Sequence, residues 1–247
     1  MTTQPRDYDR EAAQFGDRRY NYDFDAITRR YMMRAFAPFL PHGRALELGC
    51  YLGESTEWLI GQYADLTVVE AAPTLVETAR ARVGAGPRFI CSTFEALELE
   101  ETFDAVFLIN TLEHLDDPVL VLSRIRRWLT PSGRLFLLVP NANAPSRQIA
   151  VKMGLIPHNS AVTPAEAENG HRNTFSFDTL ERTTRDAGLT TLHRGGLIFK
   201  ALANYQFDAA LAAGIISDAY IEGCYHLGNQ YPDMTASIYL ICERGEV

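Results

Sequence analysis

The sequence predicts a wound α/β sheet of about seven strands, mostly parallel, with helices ahead of it and cap segments inserted into it. Three observations carry this reading. Between residues 44 and 139, short apolar runs alternate with stretches of helical period, and such alternation implies parallel strands joined by helical crossovers. The segment Ala45-Leu-Glu-Leu-Gly-Cys-Tyr-Leu-Gly53 passes from a strand through a glycine turn straight into a helix. After residue 139 the rhythm breaks into stretches rich in Pro, Asn, Ser and Gly. These read as insertions over the carboxyl edge of the sheet, where open α/β sheets bind ligands.

The elements follow in order. Residues 24–40 carry apolar side chains at helical spacing, and Pro41-His42-Gly43 stops that helix. Strands are expected at 44–48, 66–70, 88–91, 105–109 and 135–139, with helices near 54–62, 73–83 and 117–129. The last helix is the best marked. Asp116 or Asp117 caps it, Pro118 suits its first turn, and Thr130-Pro131-Ser132-Gly133 ends it. Residues 140–178 hold one short helical stretch after Pro145. A helix at 178–187 closed by Gly188, a strand at 192–200, a helical pattern over 207–225 and a final strand at 237–242 complete the chain.

Composition narrows the class. At 247 residues and 47% hydrophobic content, one domain can bury its own core without disulfides or structural metal. The net charge of −8 repels polyphosphates, so nucleic acid is not the expected partner. Cys50, Cys91, Cys224 and Cys242 show no CxxC pairing, which argues against a zinc site and for a reducing compartment. The first residues are polar and mixed in charge, and no apolar run approaches the roughly 18 residues of a membrane span. A cytoplasmic protein acting on a small molecule, without membrane partners, is the expectation. A homodimer is left open.

The glycine turn fits two kinds of nucleotide site. Dinucleotide binding requires GxGxxG, because a pyrophosphate needs bare backbone at a helix N-terminus. Counting from Gly49, the other two positions are Tyr51 and Glu54, one crowding the approach and the other repelling phosphate. NAD is therefore disfavoured. With Glu47, Gly49 and Gly53, the loop resembles the first motif of class I S-adenosylmethionine-dependent methyltransferases, although Tyr51 stands where that family has its middle glycine. Glu70 closes the next strand, where a carboxylate accepts hydrogen bonds from ribose hydroxyls. Ser92-Thr93-Phe94-Glu95, the stretch from Phe103 through Asn110 to His114, and Leu129 to Gly133 are similar to later family motifs, in order.

The resemblance implies a Rossmann-like fold and S-adenosylmethionine as cofactor, with S-adenosylhomocysteine as product. It places Glu47, Gly49, Gly53, Glu70, Ala71, Phe94, Glu95 and Asn110 around the cofactor, with Glu47 near its ammonium group. It also divides the single domain: 1–43 as N-terminal helices and lid, 44–140 as the cofactor-binding core, and 141–178 and 201–234 as substrate caps.

Methyl transfer asks the protein mostly for alignment, and a hydroxyl acceptor also needs a base. His171 in the polar insertion and His114 after the fourth strand are the candidates for catalysis. Tyr8, Tyr20, Asn141 and His158 are the candidates for binding the acceptor. Phe15 would join Tyr8 and Tyr20 in a lid. His42, His193 and His226 read as structural or surface groups. Metal assistance is discounted: Glu113-His114 with Glu166, His171 or Asp233 offers ligands, but no short spacing gathers them. The expected reaction is methylation of a hydroxyl on a sugar or secondary-metabolite scaffold. N-methylation of a small amine or heterocycle is the alternative within the class. A non-catalytic cofactor-binding module is the alternative outside it.

Overall fold

Alternate residues of each central strand point to opposite faces, and here both faces are apolar. Leu46 and Leu48, Val69, Val106 and Leu108, and Leu135 and Leu137 pack on one side. Ala45, Val68, Ala105 and Phe107, and Phe136 and Leu138 pack on the other. A strand buried on both faces must lie inside a sheet covered by helices on both sides.

The computed structural model describes residues 6–14 and 22–245 and shows that arrangement. The strands are β1 (Arg44–Leu48), β2 (Asp65–Glu70), β3 (Arg88–Cys91), β4 (Phe103–Ile109), β5 (Leu129–Pro140), β6 (Leu189–Phe199) and β7 (Thr235–Arg244). They form one seven-stranded sheet in the order β3-β2-β1-β4-β5-β7-β6. Neighbours among β1 to β5 are parallel, whereas β7 runs antiparallel to both β5 and β6. Pro140 at the end of β5 therefore pairs with Ser237 near the start of β7. The beginning of β7 thus shares the carboxyl edge with the ends of the other strands.

Helix α5 (Pro118–Trp128) buries Val121, Leu122, Ile125 and Trp128 on one face of the sheet, joined there by α8 (Phe177–Asp186) through Phe177 and Leu180. The other face is covered by α2 (Asp23–Phe36) and α10 (Asp218–Gln230), which bury Met32, Phe36, Ile221 and Tyr225. The shorter α3 (Glu54–Leu59) and α4 (Pro73–Val83) link β1 to β2 and β2 to β3. Segments that do not belong to this alternation sit after β5, as α6 (Pro145–Lys152) and α7 (Pro164–Glu168), and after β6, as α9 (Asn204–Ala212) and α10. An N-terminal helix, α1 (Tyr8–Gln14), precedes α2. Among the described residues, no helix is long and apolar enough to cross a membrane.

Four elements differ from expectation, each for a local reason. Helix α2 ends at Phe36, ahead of Pro38, and the chain tightens into a 3-10 turn before Pro41 is reached. Thr130 to Gly133 lie within β5. Leu129 pairs with Phe103 and Arg134 with Ala105, so the four residues bulge out, and a Cβ on Gly133 would stand 2.7 Å from the Phe103 carbonyl. The pattern over 207–225 is two helices. Gly214 turns left-handed after α9, and Ser217 caps α10 by accepting the Tyr220 N–H. Helix α7 carries a capping box of Thr163 and Glu166 and is too short, at five residues, for an apolar period to reveal it.

Candidate active site

At the carboxyl edge the chain leaves β1 and turns through three left-handed residues, Gly49 (φ 81°), Tyr51 (φ 47°) and Gly53 (φ 83°). A Cβ on Gly49 would come within 2.6 Å of Thr111 Oγ1, so the position excludes any side chain. Tyr51 accepts the strain instead, at a cost of about 1–2 kcal/mol. Its N–H donates to Glu70 Oε2 at 3.3 Å, while Ala71 and Ala72 donate to Oε1 at 2.8 and 3.1 Å. Burial raises the Glu70 pKa, and these backbone bonds oppose the rise. The carboxylate is thus held in one orientation, with acceptor capacity remaining.

A cavity of about 470 Å³ opens above this loop, and its wall follows the sheet order. On the β2–β3 side stand Glu70, Ala71, Phe94 and Glu95, and Tyr8 of α1 also lines the wall. In the middle are Gly49, Asn110 (φ 46°) and Thr111. On the β7–β6 side are Asn141, Ser237, Asp25 and Lys200. Lys200 is buried, donates to Leu202 O at 2.8 Å and Asn204 Oδ1 at 2.6 Å, and lies 4.2 Å above the Phe24 ring. Burial lowers its pKa to about 8 and raises that of Asp25 to about 6.

Between these ends the cap meets the sheet. The rings of His114 and His171 stand edge to face with centroids 4.7 Å apart. Glu113 is buried beside them. Its Oε2 has no hydrogen-bond partner among the described residues, and burial pushes its pKa up to about 8. The meeting is fixed by backbone: Arg172 and Asn173 both donate to the Glu113 carbonyl, at 2.8 and 3.1 Å, and Asn173 Nδ2 donates to Leu115 O at 2.7 Å. Arg147 of α6 ties the cap together, donating to the carbonyls of Asn159 and Ala161 and pairing with Glu166.

A sequence family described as a methyltransferase domain matches residues 17–194. The chain belongs to this family. The methyltransferase is 32% identical over 117 residues to a ubiquinone biosynthesis O-methyltransferase of Xanthomonas oryzae pv. oryzae, covering 45% of this chain and 49% of the relative. It is 30% identical over 126 residues to a malonyl-[acyl-carrier protein] O-methyltransferase of Anoxybacillus flavithermus, covering 49% of each. The chain therefore spans about half the length of the curated relatives it matches. In fold it resembles the N-methyltransferase NodS from Bradyrhizobium japonicum in complex with S-adenosylhomocysteine, with TM-score 0.63, 14% identity and coverage of 98% of this chain and 100% of that one.

Membership of this family implies S-adenosylmethionine as the cofactor, and the NodS structure of the same fold holds its product S-adenosylhomocysteine. The wall suits an adenosyl group on two counts: a fixed carboxylate at Glu70, and an apolar ring at Phe94 beside Glu95 on the same side of the cavity. Of the residues expected at the site, Gly49, Glu70, Ala71, Phe94, Glu95, Asn110, Tyr8, His114, His171 and Asn141 line the cavity. Glu47 does not. Its side chain is buried away from the cavity wall, accepts from Thr56 Oγ1 at 2.6 Å, and is pushed by burial to about 8. Gly53 is also off the wall, where its missing Cβ lets α3 approach Ala79 of α4. His158 is exposed beside Ser160, because the 153–160 stretch turns outward. Tyr20 and Phe15 lie outside the described residues.

Asn141 lines the cavity with its amide already engaged. Both donors go to backbone, at Asp233 O and Thr235 O, and its Oδ1 accepts from Asn143 N. It braces the end of β5 against the start of β7. The wall also holds residues outside the expected set, among them Lys200, Asp25 and Arg147. The only sequence sign of Lys200 is a lysine directly after the apolar run Leu197-Ile198-Phe199.

Proposed function

We propose that the protein methylates a hydroxyl of a small polar metabolite, on a sugar or secondary-metabolite scaffold. The observation carrying this is a single cavity that joins the Glu70–Phe94–Glu95 wall to the Glu113, His114 and His171 cluster. When bound, S-adenosylmethionine supplies a methyl group already activated by a positively charged sulfur. Glu70 would accept from the ribose hydroxyls and Phe94 would flank the adenine, with Glu95 and Ala71 beside it. The Gly49 turn and Asn110 would border the methionine part. The acceptor hydroxyl would lose its proton to His171 or His114, beside the buried Glu113. Tyr8 and α1 close the adenosyl end, and Lys200 with Asp25 bounds the far end. A positioned proton acceptor is worth about 10²–10⁴ in rate and alignment more.

The test is calorimetric titration of S-adenosylmethionine, S-adenosylhomocysteine and NAD into wild type and Glu70→Ala. Micromolar binding of the first two, none of NAD, and at least tenfold weaker binding by the variant are expected. Failure of both adenosyl ligands to bind overturns the reading. With cofactor carrying a 13C methyl group, the product's chemical shift then separates an O-methyl from an N-methyl. N-methylation of an amine is the second reading, favoured by the carboxylate of Asp25 on the wall, which would hold an ammonium group.

A further inference from the structure

Glu113, His114 and His171 come together on the cavity wall. Each offers one ligand atom, and these atoms all lie within 4.8 Å of one another. Two come from the 3-10 turn after β4 and the third from the cap, nearly sixty residues later in the chain. The juxtaposition is built in: the residues next to His171 donate both backbone N–H groups to the Glu113 carbonyl, and Arg172 pairs with Asp116 at 2.9 Å. A second observation points the same way. Glu113 is 2% exposed, yet its Oε2 has no hydrogen-bond partner among the described residues, which a buried carboxyl group rarely tolerates.

We infer that Glu113, His114 and His171 form a divalent-cation site that clamps the cap to the carboxyl edge of the sheet. The donor set selects the kind of ion. Two imidazoles and one carboxylate suit Zn²⁺ and its first-row neighbours, whereas Mg²⁺ and Ca²⁺ prefer all-oxygen sites. Ligands about 2.1 Å from one ion are at most about 4.2 Å apart. In a tetrahedral site they stand about 3.4 Å apart, so a spread of up to 4.8 Å has to close by about 1.4 Å on binding. Three protein ligands leave a fourth position, as in sites that take a substrate oxygen, and both histidines line the cavity. With the ion bound, both imidazoles are spent as ligands, so a hydroxyl at that position would be acidified by the ion and not deprotonated by a histidine; only this use rests on the proposed function. The clamp itself holds with or without methyl transfer.

The experiment uses the full chain, stripped with chelator and titrated with Co²⁺ and Zn²⁺. It reads the visible absorption of Co²⁺, stoichiometry by calorimetry, and hydrogen exchange of residues 164–175. One Co²⁺ per chain is expected, displaced by Zn²⁺ and not by Mg²⁺, with slower exchange in the cap. Affinity should fall at least tenfold in His171→Ala and in His114→Ala, and Glu113→Gln should behave likewise. Each variant is checked for folding by its S-adenosylhomocysteine affinity, which the clamp does not supply. No stoichiometric Co²⁺, or binding unchanged in both histidine variants, overturns the site while leaving the methyltransferase reading intact. Loss of S-adenosylhomocysteine binding by wild type would instead sink the proposed function.

Discussion

Single residues at this site are held by constraints that neighbouring side chains set. Tyr51 occupies the middle position of the glycine loop, yet takes a left-handed φ and points its N–H at Glu70, as a glycine there would be free to do. The left-handed turn is therefore made here without a glycine. Glu47 illustrates the opposite case, a motif carboxylate sealed away from the ligand. Its pKa of about 8 in the fold lies far above an ordinary carboxylate's 4.5, and burial is the main cause. Between those two values the native state keeps a proton that the unfolded chain has released. Stability accordingly falls as pH rises from about 4.5 to about 8. Glu47→Gln keeps a neutral partner for Thr56 and removes that penalty. Its thermal midpoint should match wild type near pH 4.5 and exceed it by a gap that widens up to pH 8.5. A gap independent of pH would contradict this account.

At the scale of elements, α1 is placed as a strap across the adenosyl end. Asp9 Oδ1 accepts both the backbone N–H of Thr74, at the start of α4, and its hydroxyl, at 3.1 and 2.8 Å. At the other side, Arg6 pairs with Glu11 at 2.7 Å and donates to His114 O at 2.9 Å. The strap thereby links the adenosyl wall to the histidine cluster. A charged hydrogen bond is worth about 1.5–3 kcal/mol, so Arg6→Ala should speed S-adenosylhomocysteine dissociation by about tenfold or more. Stopped-flow displacement would measure this, with an unchanged off-rate as the contrary outcome. The same scale shows what the sequence pattern conveyed well. The β1–α3–β2–α4–β3 run and the capped α5 were legible because local periodicity, proline and glycine agree with the tertiary fold there. The split of α9 from α10 was not, because both are apolar on one face and only their packing decides where the break falls.

Across the whole molecule, the cavity is shared by a sheet edge that is regular and caps that are not. Arg147 is the joint. It lies on α6, fastens two carbonyls of the following loop, and pairs with Glu166 of α7, which leads to His171. Arg147→Ala should leave S-adenosylhomocysteine affinity within about twofold, because the adenosyl wall is elsewhere. It should lower kcat/KM by about 10–100-fold, through loss of roughly 1.5–3 kcal/mol of cap positioning. Steady-state kinetics once an acceptor is in hand, together with calorimetry, would check both halves. An equal loss of cofactor affinity would show the cap to be part of the cofactor site.

The sequence by itself determined the wound sheet, the turn at Gly49, and the wall residues Glu70, Phe94 and Glu95. These are local: each follows from a strand ending where a glycine or a carboxylate stands, and the topology of a parallel sheet brings such ends to one edge. It also supplied both histidines, but not their meeting. Only the tertiary structure placed His171 against His114 and Glu113, spent the Asn141 amide on β7, turned Glu47 away from the cavity, and buried Lys200 opposite Phe24. Glu47 is turned by Thr56 in the next helix, and the physical reason is common to the other three. Contacts between segments far apart in sequence depend on how caps fold back over the sheet, and no periodicity or spacing within a segment records that path.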